Sequence, residues 1–152
     1  MTPPPGIHIA ADPVRQFSVF TENRVGRLHD LISMLQGADV HVMALTVLDT
    51  IDSAIIRFIV DDQDRAKELM TKQVFPYHET EVVAVEITSE ADIGGLLRAL
   101  LEAEVNLHYI YSFIKRPEGR AAVVLNVEDP EVAAQSVNHR GYKVLSQHDI
   151  SR

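Results

Sequence analysis

The chain has 152 residues, with 46% apolar and 24% charged residues and a formal net charge of −8. That size and balance suit one ordinary soluble domain or two very small ones. The acidic charge opposes nucleic-acid and anionic-membrane binding, both of which need a basic face. The absence of cysteine removes disulfides, thiolate metal sites and thiol nucleophiles.

Residues 1–14 carry Pro3, Pro4, Pro5 and Pro13 and read as an extended arm, since consecutive prolines fit neither helix nor central strand. They lack a basic stretch followed by an apolar one, and no apolar run in the chain is long enough to span a bilayer, so the expectation is a cytoplasmic protein. Gln16 to Thr21 alternates as a strand, and Glu22 to Arg27 reads as a turn. Leu28, Leu31, Ile32 and Leu35 then recur at helical spacing, and Gly37 closes that helix. Val40 to Leu48 is β-rich, Asp49 to Ser53 is turn chemistry, and Ala54 to Val60 is another strand. Asp62 and Asp64 open a second helix through Ala66, Leu69 and Met70. Phe75-Pro76 stops it, and Tyr77 to Glu81 forms a fourth strand.

The remainder copies this pattern. At an offset of 65 positions, Leu28, Leu31, Ile32 and Leu35 fall on Ile93, Leu96, Leu97 and Leu100. At an offset of 67, Val60-Asp61-Asp62 falls on Val127-Glu128-Asp129 and Phe75 on Tyr142; the two extra residues fit the Arg116-Pro117-Glu118-Gly119 loop. The expected fold is therefore α+β: two ferredoxin-like βαββαβ repeats, residues 15–80 and 81–152, with antiparallel sheets and the helices on one face. In Val40 to Leu48 both faces are apolar, with Val40, Val42 and Ala44 on one and Met43, Leu45 and Val47 on the other. An antiparallel strand with one wet face should alternate, so further cover from the sister repeat or a second chain is expected, and with it a homodimer.

The run Val19-Phe20-Thr21-Glu22-Asn23-Arg24-Val25-Gly26-Arg27-Leu28 resembles the first strand and ligand loop of ACT domains. Val60-Asp61-Asp62-Gln63-Asp64-Arg65-Ala66 resembles their entry to the second helix. The resemblance extends from Gln16 to Gln147 and is nearest to stand-alone tandem ACT proteins. It implies a non-catalytic regulator that binds a free amino acid and shifts an interface, needing no cofactor or metal. A metabolic enzyme is the implied partner, for instance as the regulatory subunit of acetolactate synthase. Where the family pattern has proline before the glycine, this chain has Val25. In the second repeat Ala91 and Asp92 stand where glycine is expected, so one functional loop per chain is expected.

Asn23, Arg24, Val25, Gly26, Arg27 and Leu28 are the candidate ligand loop, because N–H groups opening a helix attract a carboxylate and Gly26 allows a tight turn and close approach. The alternative is an ordinary turn with solvated arginines. Tyr109, Tyr111 and Phe113 share one strand face and read first as core or interface residues. The resemblance implies that Asn106, Tyr109 and Tyr111 face a neighbour's ligand loop. The seven histidines show no metal-ligand spacing, and Asp61-Asp62 and Glu128-Asp129 fit helix-opening charges. Two other functions compete. One is a small phosphatase of this topology using Arg24 and Asn23, resting on topology alone. The other is a structural dimerisation module without ligand.

Overall fold

The structure, a computed structural model, describes residues 12–22 and 24–151. The first half runs β1 (Val14–Glu22), α1 (Val25–Gly37), β2 (Val42–Asp49), β3 (Ser53–Val60) and α2 (Gln63–Lys72) into β4 (Tyr77–Glu86). The second half runs α3 (Ala91–Glu102), β5 (Leu107–Ser112), β6 (Ala122–Val127), α4 (Pro130–His139), β7 (Val144–Leu145) and α5 (Gln147–Ile150). β1 opens at Val14, inside the span read as an arm; residues 1–11 lie outside the described residues.

β4 belongs to both halves. Its residues Tyr77 to Val82 pair antiparallel with β1, and Val83 to Glu86 pair with β6, with β7 on its other side. The result is a single sheet of order β2-β3-β1-β4-β6-β5. The two outer strands meet where Ala44 bridges Phe113 and the Met43 carbonyl accepts from the N–H groups of Ile114 and Lys115, which curls the sheet on itself.

Alternation along the strands then sorts three cores. Phe17, Val19, Ile56 and Phe58 point outward under Leu31 and Leu35 of α1 and Ala66 and Met70 of α2. Val83, Val85, Val123 and Leu125 point outward under Leu96 and Leu100 of α3 and Ala134 and Val137 of α4. Val14, Ile59, Val82, Ala84, Val124 and Phe113 point inward and fill the curl. The four longer helices thus cover one face of the sheet, as the duplicated apolar stripe predicts.

The duplication extends to backbone detail. Asp39 and Glu104, 65 positions apart, both take left-handed φ (60° and 57°) just past their helices, so that Val40 and Val105 donate back to Leu35 and Leu100. Val74 and Gly141, 67 apart, do the same after α2 and α4 (59° and 94°). Asp62 and Asp129 each cap a helix, accepting from Arg65 and Val132. Even the register shift between Val42 and Ala44 recurs between Leu107 and Tyr109.

That bulge corrects the expected facing of β2. A bulge inserts one residue and reverses the alternation beyond it. Val42 and Leu45 pack outward under the helices, whereas Met43 and Ala44 both turn into the inter-repeat core. The cover that the doubly apolar strand required comes, for these two residues, from the sister repeat of the same chain.

Candidate functional site

The end of β1 delivers the chain to α1 through Arg24, an extended N-cap residue (φ −133°, ψ 127°) that caps with no side chain. Its N–H donates to the Glu22 carbonyl at 2.7 Å, and its carbonyl accepts from the Arg27 N–H at 3.0 Å. The predicted turn is therefore shorter than expected: Val25, Gly26 and Arg27 already form the first turn of the helix. Gly26 has no left-handed φ, and a Cβ built on it meets no atom within 4 Å. Neither a left-handed turn nor packing within the chain requires glycine there. Asn23 lies outside the described residues.

The two arginines do different work. Arg24 pairs with Glu22 at 3.0 Å, both largely exposed, an arrangement worth little to stability. Arg27 lays its guanidinium 4.2 Å from the ring centre of Phe75, a cation–π contact that ties α1 to the chain after α2. Arg24, Val25 and Leu28 line a cleft of ≈ 210 Å³ together with Thr21, Val47, Ala54 and Ile56. The last four were not among the candidate ligand residues read from the sequence. Strand pairing brings them together: Thr21 pairs with Ala54, and Val47 with Ile56, on the sheet face that α1 covers.

The N-terminus of α1 differs from the other helix openings. Its first turn holds no acidic residue, whereas α2, α3, α4 and α5 have Asp64, Asp92, Glu131 and Asp149 there. The corresponding loop of the second repeat is occupied by its own side chain. Asp92 accepts from the Thr88 N–H at 2.7 Å, the Thr88 hydroxyl at 2.8 Å and the Ser89 N–H at 3.4 Å. The Thr88 backbone and side-chain bonds hold its carboxyl below the usual carboxylate range. Gly95, further along α3, is where the Tyr142 ring packs against the helix, so its lack of a side chain serves packing.

Asn106, Tyr109 and Tyr111 are not at the α1 loop of this chain. Asn106 donates to Glu128 at 2.9 Å, the counterpart of His41 beside Asp61 in the first repeat. Tyr109 and Tyr111 stack with ring centres 6.3 Å apart on the inward face of the sheet. Between them and β1 sits Gln16, whose side chain is wholly buried. Its Nε2 donates to the Tyr109 hydroxyl at 2.7 Å, and its Oε1 accepts from the Tyr111 hydroxyl at 2.6 Å. Arg57 covers the other side of the Tyr109 ring at 4.1 Å. Burial, with the neighbouring Tyr109 as a lesser cause, pushes the Tyr111 hydroxyl above the ordinary phenol range. The tyrosines are thus part of the seam between repeats. No group of three or more histidines and acids able to hold a metal ion occurs among the described residues.

A family model of the ACT domain pair matches residues 13–152. The chain belongs to the ACT family. Its ACT pair is similar to the structure of protein BT0572 from Bacteroides thetaiotaomicron, at 25% identity and a TM-score of 0.82, over 92% of this chain and 96% of that one. The ligand-free regulatory subunit of aspartate kinase from Thermus thermophilus shares the fold at 15% identity and a TM-score of 0.58, over 84% of this chain and 91% of that one. The aspartate kinase regulatory subunit from Thermus flavus does so at 14% identity and a TM-score of 0.56, over 84% and 92%. No curated protein matches the chain. Membership of the ACT family carries a regulatory, ligand-binding role. No helix among the described residues is long and apolar enough to cross a membrane.

Proposed function

We propose that this ACT pair is a non-catalytic sensor of a free amino acid, bound at Arg24 to Leu28 with one site per chain. The observation that carries the reading is the contrast between the two equivalent loops. At α3 the Asp92 carboxylate already takes the N–H groups of Thr88 and Ser89. At α1 no side chain of the cap residue and no acid of the first turn fills that role, and a cleft opens beside it. The first N–H groups of a helix lack intrahelical partners and favour an anion. An amino acid's carboxylate at α1 would supply, at the unpaired N–H groups of the first turn, the negative charge that Asp92 supplies at the opening of α3.

Residues 15–80 and 81–152 act as the two repeats in this reading, and the protein works in the cytoplasm. A second copy of the chain is the expected partner, bringing the strand that carries its Asn106, Tyr109 and Tyr111 toward the loop by its edge, since both tyrosine side chains turn into the seam of their own chain. A regulated enzyme of amino-acid metabolism is the expected target, as aspartate kinase is for the two Thermus regulatory subunits. A ligand shifts such an assembly only by its differential affinity for the two states.

A thermal-shift screen of the full chain against the twenty amino acids tests the reading. A ligand at one hundred times its Kd adds about 2.7 kcal/mol of stability. Absence of any stabilisation across the panel would favour a structural dimerisation module instead.

A further inference from the structure

We infer that the cleft beside α1 selects an amino acid with an aliphatic side chain; this rests on the amino-acid reading above and deepens it. Five of the seven lining residues, Val25, Leu28, Val47, Ala54 and Ile56, are aliphatic. They occupy distinct parts of the cleft. Ala54 and Ile56 are buried in β3 and form its floor. Val47 stands directly opposite Ile56 across the β2–β3 pair, and Leu28 descends from the helix. The polar side chains are those of Thr21 and Arg24, where the chain enters α1.

This division orients a zwitterion. The carboxylate goes to the helix opening, and the side chain goes down onto Ile56. A lysine or arginine side chain placed there would meet no carboxylate among the lining residues. An aspartate or glutamate side chain laid on the floor would meet Val47, Ala54 and Ile56 and no cation. Burying a charge without a partner is unfavourable, whereas burying methyl groups against methyl groups is favourable. The modest volume, ≈ 210 Å³, also falls below that of pockets that enclose larger ligands.

The second repeat lacks this lining. At the offset of 65, Glu90 stands for Val25 and Ser112 for Val47, so two of the five aliphatic lining positions are polar in the second repeat.

Calorimetry with valine, leucine and isoleucine, against aspartate, glutamate and lysine, tests the inference on the full chain. Two single variants of one strand separate the cleft from general strand damage. Val47→Asp puts a charge on the cleft wall. Leu48→Asp puts the same charge on the opposite face of β2, at a side chain of similar exposure (47% against 43%). The expected result is that at least one aliphatic amino acid binds, that Val47→Asp weakens it by about tenfold or more, and that Leu48→Asp binds within about threefold of the parent. Circular dichroism confirms that both variants fold. Binding of a charged amino acid with no aliphatic binder would overturn the inference and leave the amino-acid reading standing. Equal weakening by the two variants would remove Val47 from the site and overturn it as well. No binding by any of the twenty amino acids would overturn both.

Discussion

The hydroxyl of Tyr111 donates to Oε1 of Gln16 at 2.6 Å, across the seam where one repeat meets the other. Gln16 belongs to the first strand of the first repeat, and Tyr111 to the second strand of the second. A buried amide is tolerable only when its donors and acceptor are engaged. Here Tyr109, Tyr111 and Ser18 engage them, at 2.7, 2.6 and 3.3 Å. The seam is thus specified by polar geometry as well as by the apolar fill around Val124 and Ala84.

Gln16→Leu should destabilise the chain by about 1–3 kcal/mol, the cost of leaving a buried polar partner unsatisfied. Combining it with Tyr111→Phe should recover part of that loss, because both ends of the bond then become apolar. Urea denaturation of the two single variants and the double variant measures the coupling. Simple additivity would mean that the bond contributes nothing across the seam.

The same burial makes a prediction at alkaline pH. Tyr111 is held above the ordinary phenol value of 10.0 in the folded chain. The unfolded chain releases that proton near pH 10, and the folded chain retains it. The stabilising contribution is therefore complete below about pH 10 and is lost as pH rises from there toward the folded value, at up to about 1.4 kcal/mol per pH unit. Tyr111→Phe should flatten this part of the stability profile, measured by denaturation between pH 9 and 11. An unchanged slope in that variant would assign the alkaline loss to other groups.

Val74 carries a third test. It holds a left-handed φ of 59° and is 79% exposed, while the equivalent position after α4 is Gly141. A β-branched residue in this conformation costs roughly 1–2 kcal/mol, partly offset in glycine by the entropy it loses on folding. Val74→Gly should therefore raise stability by about 0.5–1 kcal/mol, and Gly141→Val should lower it by about 1–2 kcal/mol. Paired thermal melts check both signs.

Much of this architecture could be read from residue spacing. The stripe Leu28, Leu31, Leu35 and its copy Ile93, Leu96, Leu100 report helical period and core contact together, and the Asp62 and Asp129 caps mark where helices open. What escaped was set by pairing between distant segments. The bulge at Val42 and Ala44 depends on how β2 meets β3, so simple alternation misplaced Met43 and Ala44. Gln16 looked like one polar residue in an alternating strand; only closure of the curled sheet brings Tyr109 and Tyr111 to it. Val25 and Leu28 of the cleft beside α1 belong to the local pattern around Gly26, whereas Ala54 and Ile56 reach the cleft through strand pairing and not chain proximity.

Gly26 offers a test in which stability and binding move in opposite directions. A Cβ there meets no atom beyond its chain neighbours and its own helix within 4 Å, and the backbone needs no left-handed φ, so Gly26→Asp should fold normally. An acid in the first turn of a helix interacts favourably with its dipole, and replacing glycine removes an entropic cost, so the variant should be as stable as the parent or slightly more stable. The new carboxylate would nevertheless occupy the space and the charge that the proposed ligand's carboxylate needs. Repulsion of about 1.4 kcal/mol already lowers affinity tenfold, and direct overlap lowers it further, so binding should be lost. Ala91→Asp is the matching change at α3, where Asp92 already holds Thr88 and Ser89, and it should leave amino-acid affinity unchanged. Calorimetry and thermal melts on both variants decide the matter. Undiminished binding by a stable Gly26→Asp chain would move the ligand away from α1, and equal losses at the two positions would contradict a single functional loop per chain.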